Sequence, residues 1–249
     1  MSQRAQRYRE GDALHAMART PQDWSAWAAA LGERSFRGTQ VFRWLHARGE
    51  QDAAAMTDLP RSLQARLAAE SLGPVVQVQS EHRAADGTTK VVLRLCDGLA
   101  IETVLIPAVA RSSSEGPCID ADVAACDSEE HDEQELEATA SSAVRVTQCI
   151  STQVGCAMGC GFCASGATGL RRHLGPEEIV AQALLGRQRL QPGERLSNVV
   201  LMGMGEPLHN YDATARAVRL LSHADGVDLS TRRITVSTVG LVPGIEQLG

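Results

Sequence analysis

The 249-residue sequence has no hydrophobic run long enough to cross a membrane, and its first residues contain no apolar stretch. A transmembrane helix needs roughly 18 or more consecutive apolar residues. The opening segment MSQRAQRYREGD lacks the apolar stretch of a secretory signal. We therefore expect a cytoplasmic protein, in which seven cysteines predict free thiols, a metal site or catalysis rather than a disulfide framework.

Lysine is nearly absent, since Lys90 is the one lysine beside 23 arginines. The net charge of −6 is also unevenly distributed, because residues 111–143 hold ten acidic residues and one arginine. The rest of the chain has a net charge of +3. Arginine suits bidentate phosphate recognition, and genome base composition explains an arginine bias equally well, so the charge permits an RNA partner without requiring one.

Composition and periodicity divide the chain into four segments. Apolar residues at helical spacing predict a small helical domain over residues 1–72, and β-branched runs predict a short antiparallel β segment over 73–107. Residues 108–143 are rich in serine, alanine and acids, so burial would not offset their ordering entropy and we predict a disordered acidic insertion. Strand and helix patterns alternate over 144–249, which predicts an α/β fold with a parallel sheet.

Three cysteines follow the first strand of this α/β segment at short spacing. Cys156, Cys160 and Cys163 lie in a glycine-rich loop, and thiolates are soft ligands suited to iron–sulfur clusters or zinc. A [4Fe–4S] cluster usually takes four cysteines, so three would leave one iron open to a small molecule. Structural zinc needs four ligands, and His173 is available as the fourth, so a zinc site stays open as an alternative.

The residues around the triplet carry a family resemblance. The CxxxCxxC spacing after a first β/α strand is the signature of radical S-adenosylmethionine (SAM) enzymes. The wider sequence is similar to the RlmN/Cfr class of rRNA adenine methyltransferases, and resembles its RlmN branch, which forms 2-methyladenosine, more than the Cfr branch, which methylates C8. The matching segments are LGERSFRGTQVFRWL, DGTTK, IETVLIP, QVGCAMGCGFCASG, GLRRHLGPEEIVAQ, NVVLMGMGEPLHNY and RRITVSTVGLVP.

The resemblance implies a fold, two cofactors and the residues that hold them. The fold is a partial radical SAM β/α barrel, with about three of six units visible. The three cysteines would ligate a [4Fe–4S] cluster, and SAM would bind the fourth iron and be cleaved to a 5′-deoxyadenosyl radical. Gly205 and Glu206 match a SAM-contacting segment of the family, and Ser237 matches a SAM-contacting serine.

Two further residues match positions that act on the substrate. Cys149 matches a cysteine that helps to resolve a covalent RNA–enzyme intermediate, and Glu102 matches a proton acceptor. By pattern alone, a strand cysteine is more often a small buried hydrophobe, and a strand glutamate more often faces solvent.

The resemblance also implies partners. The N-terminal helical domain matches an RNA-engaging domain, where Arg34, Arg37, Arg43 and Arg48 are candidate phosphate contacts. The expected substrates are 23S rRNA and tRNA, with the target adenine unstacked, and a flavodoxin-like protein would donate the electron.

The sequence departs from the family at one point. The family mechanism uses a methyl-carrying cysteine downstream of the residues seen here, and no residue of this chain matches it. We therefore expect that the chain alone does not complete methyl transfer. Two alternatives stay open: a relative that binds a cluster and RNA without methylation, and a zinc-stabilised RNA-binding module.

Overall fold

The computed structural model describes residues 14–70, 72–108 and 143–248. The predicted acidic insertion falls almost wholly outside these residues, as do Cys118 and Cys126. No helix in the described segments has the length and hydropathy of a membrane span.

The N-terminal segment is helical, as predicted. Its α-helices are α1 (Pro21–Ala30), α2 (Phe36–Phe42) and α3 (Arg61–Leu67), with 3₁₀ turns at Ala16–Ala18 and Ala53–Ala55. Helix α1 begins with a capping box, because the Thr20 hydroxyl accepts from the Asp23 N–H and the Asp23 carboxylate accepts from the Thr20 N–H. Helix α2 continues into a π turn over Arg43–Ala47.

The described residues form eight strands: β1 (Val76–Arg83), β2 (Thr89–Leu95), β3 (Ala100–Pro107), β4 (Val144–Cys149), β5 (Gln153–Val154), β6 (Arg172–His173), β7 (Glu194–Leu201) and β8 (Ile234–Val236). Six of them make one sheet in the order β1-β2-β3-β4-β7-β8. Neighbours from β1 to β4 are antiparallel, whereas β4, β7 and β8 are parallel. The short strands β5 and β6 form a separate antiparallel pair.

Helices connect the parallel strands, which confirms the predicted α/β class. Helix α5 (Pro176–Gln188) lies between β4 and β7, and α6 (Tyr211–Leu221) lies between β7 and β8. The remaining helices are α4 (Ala164–Ala167) and α7 (Val242–Leu248), with 3₁₀ turns at Pro207–Asn210 and Thr231–Arg233. The segment 73–107 does not form a sheet of its own, because β3 pairs with β4 and extends the parallel sheet.

The helical domain packs directly on the α/β segment. Arg187 of α5 donates to the carbonyl oxygens of His46 and Ala47, at 3.3 and 3.2 Å, at the end of the π turn. Arg216 of α6 donates to the Ala18 carbonyl at 2.7 Å. These bonds satisfy carbonyls that a helix end leaves unpaired, and one continuous buried apolar core spans both parts of the chain.

Candidate functional site

The residues predicted to bind cofactor converge on one edge of the sheet. Strands β4, β7 and β8 are parallel, so their carboxyl ends share that edge. The cysteine triplet follows β4, the Gly205–Glu206 segment follows β7, and Ser237 follows β8. The topology therefore brings together three segments that are up to 81 positions apart along the chain.

The cysteine loop is anchored at its start and open further along. Cys156 is buried, whereas Cys160 and Cys163 are partly exposed, and Phe162 between them is 95% exposed. The preceding Gly155 has a φ of +73°, and a Cβ there would lie 1.9 Å from the Gly169 carbonyl oxygen. Only glycine fits this position, so the backbone is held in place just before Cys156.

The donor chemistry of this loop fits an iron–sulfur cluster. Three thiols lie within eight residues, and backbone N–H groups of Gly166 and Ser165 lower the pKa of the Cys163 thiol, which favours the thiolate that binds iron. In the described parts of the chain no three His, Cys, Asp or Glu side chains are close enough to hold a metal ion as they stand. The loop thus supplies three thiol ligands of the right kind. To bind a cluster, their sulfur atoms would have to lie closer together than they do here.

Glu206 is buried, and backbone N–H groups already bind its carboxylate. Oε1 accepts from the Leu208 N–H at 3.0 Å, and Oε2 accepts from the Val239 N–H at 2.9 Å. Gly205 has a φ of +105°, and a Cβ there would lie 2.5 Å from the Gln153 Cβ. Glu206 thus ties the segment after β7 to the segment after β8, where Ser237 is exposed.

Cys149 and Glu102 share one face of the sheet. Val104 of β3 pairs with Cys149 of β4, and Glu102 lies two residues before Val104, so all three side chains point to the same side. Lys90 pairs with Val104 from β2, and its Nζ lies 2.7 Å from Glu102 Oε1. Burial raises the pKa of the Cys149 thiol, which keeps it protonated at neutral pH.

The four candidate phosphate contacts differ in how they are held. Arg43 pairs with Asp225, its Nε lying 2.7 Å from Oδ1, and Arg37 donates to the Asp58 carbonyl. The Arg48 guanidinium lies 3.8 Å from the centre of the Trp44 ring, and Arg34 is exposed. Arg34 and Arg48 are therefore the more available to a partner.

The structure also shows functional candidates that sequence reasoning missed. Gln153 is fully buried and contacts Glu206, His173 and His209, and Lys90 pairs with Glu102. The only sequence signal for Gln153 was its position three residues before the first triplet cysteine. His173, the candidate fourth zinc ligand, is buried with its Nδ1 atom 3.0 Å from the Gln153 amide nitrogen.

Comparison with known proteins shows which proteins the chain resembles. Residues 17–72 match the family model of the ribosomal RNA large subunit methyltransferase N-terminal domain, and residues 150–248 match that of the radical SAM superfamily. A dual-specificity RNA methyltransferase RlmN of Sorangium cellulosum is 62% identical over 95% of this chain. The chain is therefore similar to RlmN methyltransferases over almost its whole length. The predicted resemblance to the RlmN branch is confirmed.

Other RlmN relatives and a solved structure agree. A probable dual-specificity RNA methyltransferase RlmN of Moorella thermoacetica is 43% identical over 92% of the chain. The crystal structure of a radical SAM methyltransferase from Sphaerobacter thermophilus superposes with a TM-score of 0.74 at 38% identity, over 95% of this chain and 60% of that one. The chain spans 61% and 57% of the length of the two RlmN relatives.

Proposed function

We propose that the chain acts in radical SAM methylation of RNA, forming 2-methyladenosine in 23S rRNA and in tRNA. The observation that carries the proposal is the convergence of the cysteine triplet, the Gly205–Glu206 segment and Ser237 on one sheet edge. The face that bears Cys149 and Glu102 runs up to this edge on β4 and β3. Under this proposal, the cofactor groups and the substrate groups would lie on one continuous surface.

The cysteine triplet would hold a [4Fe–4S] cluster, and SAM would bind beside it. When bound, the two groups would supply the one-electron radical chemistry of the reaction. Cys156 would provide the thiolate at the anchored start of the loop, and Cys160 and Cys163 would provide the other two from its more open part. Gly205 lets the backbone approach closely, while Glu206 keeps lone pairs free beyond its two backbone bonds and can accept from the SAM amino group. Ser237 offers a hydroxyl on the neighbouring strand end.

Cys149 and Glu102 would manage protons on the substrate side. The Cys149 thiol holds its proton at neutral pH, because burial raises its pKa. A carboxylate on the same face is the natural acceptor for a proton that leaves the substrate or the Sγ atom. The Lys90 ammonium group fixes the Glu102 carboxylate by an ion pair across β2 and β3.

The remaining partners follow from the chemistry. Arg34 and Arg48 on the helical domain would contact RNA phosphates. A flavodoxin-like protein would supply the electron, and a protein that processes rRNA and tRNA would act in the cytoplasm.

Nucleoside analysis in the source organism tests this function. Deletion of the gene should remove 2-methyladenosine from rRNA and tRNA hydrolysates, measured by mass spectrometry. The wild-type gene should restore it, and Cys156→Ala should not. Cys96→Ala is the matched control and should restore it, because Cys96 is exposed and its Sγ donates to the Val75 carbonyl, away from the cysteine triplet. Unchanged 2-methyladenosine after deletion would contradict the proposal.

A further inference from the structure

A fully buried amide lies directly behind the Gly205–Glu206 segment. The Gln153 Oε1 atom accepts from the Glu206 backbone N–H at 2.8 Å. The Gln153 Nε2 atom lies 3.0 Å from His173 Nδ1 and 3.2 Å from His209 Nδ1. The side chain thus connects three segments: β6 with His173, the stretch after β7, and the 3₁₀ turn that carries His209.

The orientation of this amide follows from the kinds of group around it. A backbone N–H can only donate, so the Gln153 atom that faces the Glu206 N–H must be the carbonyl oxygen. The NH₂ group therefore faces the two imidazoles, and its two hydrogens match the two Nδ1 atoms. Both Nδ1 atoms must accept, which places the hydrogen of each neutral ring on Nε2.

The hydrogen-bond partners of the amide disfavour the flipped orientation. A flipped amide would place two donors, its NH₂ group and the Glu206 N–H, against each other in a buried site. A Cβ on Gly205 would lie 2.5 Å from the Gln153 Cβ, so Gly205 already lies close against Gln153. The His173 and His209 rings lie edge to face with their centres 4.9 Å apart. Only one orientation of the amide therefore gives every one of these groups a matching partner: its oxygen on the Glu206 N–H and its NH₂ group on the two Nδ1 atoms.

We propose that Gln153 is a positioning residue that holds the Gly205–Glu206 segment in place and locks His173 and His209 as neutral Nε2–H tautomers. The tautomer assignment stands on the geometry alone. The consequence for SAM rests on the proposed function: when Gln153 is lost, the Glu206 backbone loses its anchor and SAM binds more weakly.

Nuclear magnetic resonance of the ¹⁵N-histidine-labelled full chain tests the tautomers. The wild type should show unprotonated Nδ1 and protonated Nε2 for both rings, with signals assigned from His173→Asn and His209→Leu. Gln153→Glu replaces the donating NH₂ group with a carboxylate oxygen, which accepts when ionised, so both Nδ1 atoms should acquire a hydrogen. Gln64→Glu is the matched control, because Gln64 donates to the Met56 carbonyl far from these rings, and it should leave both signals unchanged. A wild-type Nδ1–H on either ring would overturn the proposal.

SAM binding to the reconstituted protein tests the positioning role. Gln153→Met is uncharged and of similar size, which guards against a variant that fails to fold. It should bind SAM about tenfold more weakly than the wild type, as expected for one lost buried hydrogen bond. Gln64→Met should bind as the wild type does.

The two arms separate the inference from the proposed function. A wild type that does not bind SAM contradicts the proposed function, and the tautomer measurement then decides the inference alone. If the wild type binds SAM and Gln153→Met binds it equally well, the positioning role is wrong.

Discussion

The buried His46 side chain should make the stability of the fold depend on pH. Its ring is fully buried, stacks on Phe42 with the ring centres 4.3 Å apart, and has no hydrogen-bond partner for either nitrogen among the described residues. Burial, aided by the charge of His223, lowers the pKa of His46 to about 3. The folded protein therefore keeps His46 neutral at a pH where the unfolded chain protonates it.

The sign and size of the effect follow from proton linkage. Because the folded pKa lies below the unfolded value of 6.5, the stability from this group is full above 6.5 and is lost as pH falls toward 3. Between about pH 7.5 and about pH 5 the loss is about 2 kcal/mol, at about 1.4 kcal/mol per unit below the unfolded pKa. His46→Leu cannot take up a proton at this position, so this part of the decrease in unfolding free energy should be absent in the variant.

Urea unfolding of the wild type and His46→Leu at the two pH values measures this difference. At neutral pH the variant should be as stable as the wild type or up to about 1–2 kcal/mol more stable, since two unsatisfied ring nitrogens leave the core. At about pH 5 the difference in unfolding free energy should grow by about 2 kcal/mol in favour of the variant. An equal pH dependence in both proteins would refute the reasoning.

Further predictions concern the candidate site. In the deletion strain of the source organism, a gene carrying Glu102→Gln should give at least about 100-fold less 2-methyladenosine formation than the wild-type gene, the usual contribution of a general base. Lys90→Gln should lower it by about tenfold, because Lys90 only orients Glu102. Site-resolved alkylation should give Cys149 a titration midpoint above the ordinary thiol value of 9.0, since burial raises its pKa; a lower midpoint would contradict the buried setting. Gly205→Ala should destabilise the fold by about 1–3 kcal/mol in thermal unfolding, because its φ is positive and its Cβ would meet Gln153.

Local sequence patterns predicted most of the fold. Helical spacing in the N-terminal segment and β/α alternation after residue 144 both depend on neighbouring residues, so they are readable from the chain. The pairing of β3 with β4 was not predicted, because it joins Val104 to Cys149 across the acidic insertion. Such long-range pairing is decided by tertiary packing and leaves little trace in local periodicity.

The site was predictable to the extent that its chemistry is local. The cysteine triplet is compact in sequence, and its thiol chemistry singles it out. The roles of Glu102 and Cys149 came from family resemblance, and the structure adds that they share a face. Gln153 was not predicted, because the role of an amide side chain depends on the groups that it hydrogen-bonds. Two of those groups, Glu206 and His209, lie more than 50 residues away in the sequence.

The most direct test of this account is electron paramagnetic resonance of the protein purified and reconstituted with iron and sulfide without oxygen. The account predicts the signal of a reduced [4Fe–4S] cluster that changes when SAM is added and is lost in Cys160→Ala. The account would be contradicted by a protein that takes up no such cluster, or by a cluster whose signal does not change when SAM is added.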